Sequence, residues 1–136
     1  MIVADTSGLL ALFNSREPRH HDARRVVEGA DEPLVVSPFV VAELDYLIAT
    51  RIGVDAEVEV LTELAGGAYH LAQFHADDLG ASATIIGRYR DQEIGATDAS
   101  IVVLAARHRT RSLLTLDHRH FNVVRPLEGG RFRLLP

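Results

Sequence analysis

The chain of 136 residues has no cysteine, and its 14 basic side chains are all arginine, so lysine is absent as well. Without thiols there is no disulfide framework and no thiolate zinc site; the fold rests on packing, and any metal has to be held by oxygen or imidazole. Without lysine, Schiff-base, P-loop and lysine-assisted phosphotransfer chemistry fall away, while arginine remains well suited to phosphate. Also missing is any run of about 18 apolar residues that could span a bilayer, and the start lacks the basic n-region and long apolar h-region of a signal peptide. The expectation is a soluble, cytoplasmic protein with no membrane contact. No linker, repeat or composition break divides the chain, so a single domain over residues 1–136 is expected, and 47% hydrophobic content can bury a real core.

The net charge of −5 is unevenly spread. Residues 1–87 hold 5 arginines against 14 acids, whereas residues 88–136 hold 9 arginines against 5 acids. An acidic protein is a poor general binder of nucleic acid, but a basic patch in the second part could still guide a polyanion; on charge alone a mixed solvated surface is favoured.

Apolar runs alternate with helical periodicities throughout, the pattern of an α/β fold with a mostly parallel sheet and helices on both faces. Residues 2–5 read as a buried strand, and "TSGLLALF" turns at once into a helix with Thr6 or Ser7 placed to cap it. A second helix follows Pro18. "PLVVS" is a short strand, and Ser37 with Pro38 makes a cap and first helical residue for "PFVVAELDYLIAT". A helix near 55–65 precedes a strand in "GAYHLA". "ADDLGASATIIGRYR" is amphipathic through Leu79, Ala83, Ile86 and Arg90, and "TDASIVVLAARH" is apolar on nearly all sides, as a buried helix is. "RSLLTLD" is another apolar strand, and "NVVRPL" and "RFRLL" are candidates for edge strands or a C-terminal hairpin.

Four carboxylates stand in unusual places. Asp5 and Asp117 each end an apolar run, which puts them at the carboxyl ends of strands, the edge where ligands bind in open α/β sheets. Either alone is explained by a turn or helix cap; two of the same kind are harder to dismiss. Glu43 shares a helical face with Phe39, Val40 and Leu47, a stripe expected to meet the core, where a carboxylate is costly unless paired or bound to metal. Asp98 opens the buried helix; it is either a simple N-cap or, with Thr97 capping, a first-turn residue free to point outward. The expectation is that all four converge on one acidic pocket. Such a group cannot stay ionised together without a cation, and oxygen ligation suits Mg²⁺ or Mn²⁺. That site fits phosphodiester hydrolysis, with a water made nucleophilic by the metal.

In these residues the sequence resembles the PIN-domain ribonucleases, and among them the VapC-type toxins of toxin–antitoxin pairs. "VADTSGLLALF", "SPFVVAELDYLI", "RYRDQEIGATDASIVVLAAR" and "LLTLDHRHF" are similar, in order, to the family's four acid-bearing segments. The resemblance implies that Asp5, Glu43, Asp98 and Asp117 form the catalytic, metal-binding set, with the hydroxyl of Thr6 or Ser7 in support. It further implies a three-layer α/β/α sandwich around a short parallel sheet, usually a homodimer, with Mg²⁺ or Mn²⁺ as cofactor. The implied activity is endonucleolytic cleavage of RNA leaving 3′-hydroxyl and 5′-phosphate ends, restrained by an antitoxin protein.

Basic residues should line the rim of so negative a pocket, and Arg107, Arg109 and Arg119 are candidates for RNA contact; for Arg107 and Arg109, cations at a helix C-terminus are an equal explanation. His118 and His120 are candidate metal ligands, but in what reads as one extended stretch they should point to opposite faces, so at most one could reach the pocket, and neither is counted as a ligand. His20 and His21 read as exposed. Apolar stretches near 10–13, 40–48 and 58–64 serve either the core or a partner. The rival readings are an aspartate-based phosphotransfer or phosphatase domain, disfavoured by the missing lysine and the single acid of "DTSG", and a non-catalytic RNA- or protein-binding domain with structural acids.

Overall fold

The computed structural model describes all residues, 1–136. Its sheet has five strands, β1 (Val3–Ala4), β2 (Val35–Val36), β3 (His70–Leu71), β4 (Ser112–Leu114) and β5 (Arg133–Leu135), in the order β3-β2-β1-β4-β5. Every pairing is parallel. Successive strand residues face opposite sides, yet Val3, Ala4, Val35, Val36, Leu113 and Leu114 are all fully buried, so both faces are covered and the architecture is the expected α/β/α sandwich. Seven helices supply the layers: α1 (Thr6–Phe13), α2 (His20–Glu28), α3 (Pro38–Arg51), α4 (Val54–Ala65), α5 (Ala76–Arg88), α6 (Ala96–Arg107) and the single turn α7 (His118–Phe121).

The start of α3 follows the sequence closely: Ser37 accepts from the Phe39 N–H at 3.1 Å and Pro38 is the first helical residue. The Ser37 hydroxyl also meets that of Ser100 at 2.7 Å in the interior, tying α3 to α6. On α6, residues Ala99 to Ala105 are buried without interruption, as its all-round apolar pattern demanded. The helix ends in a Schellman motif, with Thr110 N–H donating to Ala105 O and Arg109 N–H to Ala106 O, and Arg109 left-handed at φ 51°.

Several expectations are corrected. The core stripe of α3 is Val40, Leu44 and Ile48, one position out of phase with the stripe that included Glu43, which is exposed. Two apolar registers coexist in this helix, and packing chose the one whose members are all aliphatic. In α5 the buried positions are Ser82 and Ile85, while Leu79 is 52% exposed and the helix stops before Arg90. Ser82 can be buried because its hydroxyl donates to the Asp78 carbonyl. "NVVRPL" is no strand and there is no hairpin: the Arg125 N–H goes to the Tyr89 hydroxyl, and β5 takes the edge beside β4. His20 is half-buried, its Nδ1 2.8 Å from Ala11 O, so it links α2 to α1.

Candidate functional site

Asp5 follows β1 directly, and its N–H extends the ladder to Leu114 O at 2.9 Å. Helix α1 starts at once and passes so close to β4 that a Cβ on Gly8 would lie 2.8 Å from Leu114 Cγ and closer still to the Leu114 carbonyl. That approach places the first turn of α1 over the turn after β4. Asp5 is only 5% exposed, and its Oδ2 accepts from Ser7 Oγ at 2.7 Å and Thr115 Oγ1 at 2.8 Å. Each hydroxyl in turn accepts a backbone N–H, Leu116 to Ser7 and Asp117 to Thr115, both at 2.9 Å. The carboxylate is thereby locked between two turns. Burial raises its pKa; the Ser7, Thr115 and Thr6 N–H donors oppose the rise, and the charge of Asp117 adds to it.

The hydroxyl that serves Asp5 is thus Ser7. Thr6 is buried, its Oγ1 has no partner, and it does not cap α1, whose N-cap is Asp5 itself. Asp98 is the third residue of α6, behind an N-cap at Gly95, so it is a first-turn residue although Thr97 is not the cap. Burial, then the charges of Asp5 and Asp117, push its carboxyl up to about 6, against the opposing effects of His120 and the Gly95 N–H. Asp117 caps α7 by accepting from the His120 N–H at 3.0 Å. The parallel sheet therefore brings Asp5, Asp98 and Asp117 to one edge, from three distant stretches of chain.

His120 completes the group, and the sequence reading had set it aside. The stretch after Asp117 is a helical turn, not an extended one, so His120 folds back over the cap: its Nδ1 lies 2.9 Å from Asp117 Oδ2 and 3.5 Å from Asp98 Oδ2. His118 is exposed. A capping aspartate three residues before a histidine was the available signal. Thr115 was also missed, because a buried threonine at the end of a strand looks like core.

Other expected residues lie elsewhere. Glu43 is outside the close group of Asp98, Asp117 and His120, whose ligand atoms all lie within 4.8 Å of one another. Arg107 sits nine residues along α6 from Asp98, roughly 13 Å at the helical rise, and is committed to Asp78 at 2.7 Å and to Gln73 O at 2.7 Å. Arg109, in the turn beyond it, is at that same far end of α6. Arg119 is exposed on α7, beside the cluster. In chemical terms the donors suit a divalent cation: oxygen atoms and one imidazole, partly exposed, with one carboxyl whose pKa is raised to about 6 by burial first and its neighbours' charge next.

The PIN-domain family model matches residues 2–126. The chain belongs to the PIN-domain family. This PIN domain is 54% identical over 135 residues to "Ribonuclease VapC26" of Mycobacterium tuberculosis, a match covering 99% of this chain and 100% of that protein, and is of the VapC type. Among solved structures it is similar to Mycobacterium tuberculosis VapC20, described as a sarcin–ricin loop cleaving toxin, with TM-score 0.86, 20% identity and 100% of both chains covered. A toxin–antitoxin complex from Klebsiella pneumoniae gives TM-score 0.71 at 19% identity, covering 91% of this PIN domain and 92% of that chain. FitAcB from Neisseria gonorrhoeae gives 0.71 at 18%, covering 98% and 97%.

Proposed function

We propose that this PIN domain is a Mg²⁺- or Mn²⁺-dependent endoribonuclease, the toxin of a toxin–antitoxin pair, acting in the cytoplasm. The observation that carries the reading is the convergence of Asp5, Asp98 and Asp117 at the carboxyl edge of the sheet, in a chain 54% identical to a ribonuclease over its whole length. Asp5, Asp98 and Asp117 would hold the cation, with Glu43, exposed on α3 and outside the close group, as the fourth acid of the set. A cation held there supplies two things: it acidifies water for attack on phosphorus, and it neutralises charge on the phosphate.

The chain's own residues do the rest. Ser7 and Thr115 occupy Oδ2 of Asp5, which fixes the direction of that carboxylate. Asp98 and Asp117 set the negative potential that selects a cation over a bare phosphate, and Arg119 on the rim offsets it for an approaching RNA. Hydrolysis leaves 3′-hydroxyl and 5′-phosphate ends. An antitoxin protein restrains the enzyme, and the working form is a homodimer; exposed Tyr46, Val54, Val58 and Leu61 on α3 and α4 are apolar surface in keeping with protein contact.

The test is cleavage of total cellular RNA by purified protein with Mg²⁺, Mn²⁺ or EDTA, comparing wild type with Asp5→Asn and Asp98→Asn. Discrete metal-dependent cuts lost in both variants are expected. Equal cutting by the variants would overturn the assignment of the site.

A further inference from the structure

The geometry points to His120 as a nitrogen ligand of the cation, making a mixed carboxylate–imidazole site that prefers Mn²⁺ to Mg²⁺; the inference rests on the metal-dependent reading above. Neighbouring ligand atoms around a six-coordinate ion with bonds of about 2.1 Å are about 3 Å apart. The His120 Nδ1 is hydrogen-bonded to Asp117 Oδ2 at 2.9 Å and lies 3.5 Å from Asp98 Oδ2; a cation shared by these atoms would replace the hydrogen bond without moving them far. One ligand atom from each of Asp98, Asp117 and His120 falls within 4.8 Å of the other two, so a single ion can be shared among them.

The ring is held in place by the core. The His120 carbonyl accepts from the N–H groups of Val123 and Val124, and its N–H is taken by Asp117. The next residue, Phe121, is 2% exposed and meets Phe132 edge-on with centroids 6.1 Å apart. A histidine anchored in this way has little freedom to swing to solvent, and both polar neighbours of its Nδ1 are carboxylates of the site. Ligation through Nδ1 uses the neutral ring with its proton on Nε2. Mg²⁺ takes oxygen ligands, whereas first-row transition ions from Mn²⁺ onward accept imidazole, so the nitrogen tilts selectivity toward the latter.

The experiment is electron spin-echo envelope modulation of Mn²⁺ bound to the full-length protein, which reads nitrogen coupling directly, with Mn²⁺ and Mg²⁺ affinities from calorimetry alongside. Wild type should show ¹⁴N modulation that changes character with ¹⁵N-histidine labelling, a control that needs no substitution. His120→Gln should lose the modulation, keep a folded circular-dichroism spectrum, and weaken Mn²⁺ binding by about tenfold or more while changing Mg²⁺ binding far less. Bound Mn²⁺ without nitrogen coupling in wild type, or coupling that survives His120→Gln, overturns the role of His120 and leaves the acidic site standing. Failure of wild type to bind Mn²⁺ at all overturns the metal site, and this inference with it.

Discussion

At Asp98 the carboxyl is raised from 3.8 to about 6, by burial first and by Asp5 and Asp117 next. Between those two values the folded protein keeps a proton that the unfolded chain has lost, so stability falls as pH rises from about 4 to about 6 and stays lower above that. In EDTA at pH 7.5, Asp98→Asn should therefore be more stable than wild type by about 2 kcal/mol, and the advantage should vanish at pH 4. Denaturant unfolding at the two pH values measures this; a variant less stable at both would mean that the carboxylate is well solvated. Thr115 is the other informative residue. Thr115→Val removes a donor from Asp5 and leaves the Asp117 N–H without its acceptor, so a loss of about 1–3 kcal/mol is expected, together with about tenfold weaker cation binding. Thr115→Ser should restore both, as calorimetry and unfolding curves would show. Of the site, Asp5 and Asp117 were legible at the ends of apolar runs and Asp98 at the start of a buried helix, while the supporting hydroxyl was open between Thr6 and Ser7. Thr115 and His120 were not, since their roles depend on how the chain turns after β4.

Among the elements, α1 and α6 carry the clearest consequences. Gly8→Ala would drive a Cβ into the backbone of Leu114, forcing α1 off β4 and moving Ser7 from Asp5. A loss of about 1–3 kcal/mol or more is expected, with activity falling further than stability alone explains; unchanged unfolding would show that the helix has room to shift. Arg109 holds the left-handed position of the Schellman motif that closes α6. Arg109→Gly should raise stability by about 0.5–1 kcal/mol and leave RNA cleavage intact, whereas a specific loss of cleavage would restore Arg109 to the RNA rim. Strand and helix identities were readable here because Pro38, Ser37 and the apolar runs punctuate the chain. The phases of α3 and α5 were not. In α3 two apolar stripes overlap, and in α5 the buried face includes Ser82, whose hydroxyl is satisfied within the helix; only packing against neighbouring elements selects the face.

For the whole molecule, the parallel sheet draws negative charge from residues 5, 98 and 117 to one edge, where His120 lies against Asp98 and Asp117 and Arg119 is exposed nearby. A divalent cation should therefore stabilise the fold as well as activate it: at a hundred times its dissociation constant the gain is about 2.7 kcal/mol. The shift in melting temperature should be large at pH 7.5 and smaller at pH 4.5, where Asp98 is protonated, and absent in Asp5→Asn with Asp98→Asn combined. Equal shifts in that double variant would place the binding elsewhere. Composition and order of residues determined by themselves that the protein is an α/β domain without disulfides, that Asp5 and Asp117 follow apolar strands, and which segments carry the acids, because burial and periodicity are local properties. Tertiary structure alone decided that Ser7 and not Thr6 serves Asp5, that Glu43 is exposed, that Arg107 is spent on Asp78, and that His120 joins the aspartates. Those outcomes depend on distances between groups far apart in the chain, such as Asp5 and Thr115, and only the packing of helices on the sheet sets such distances.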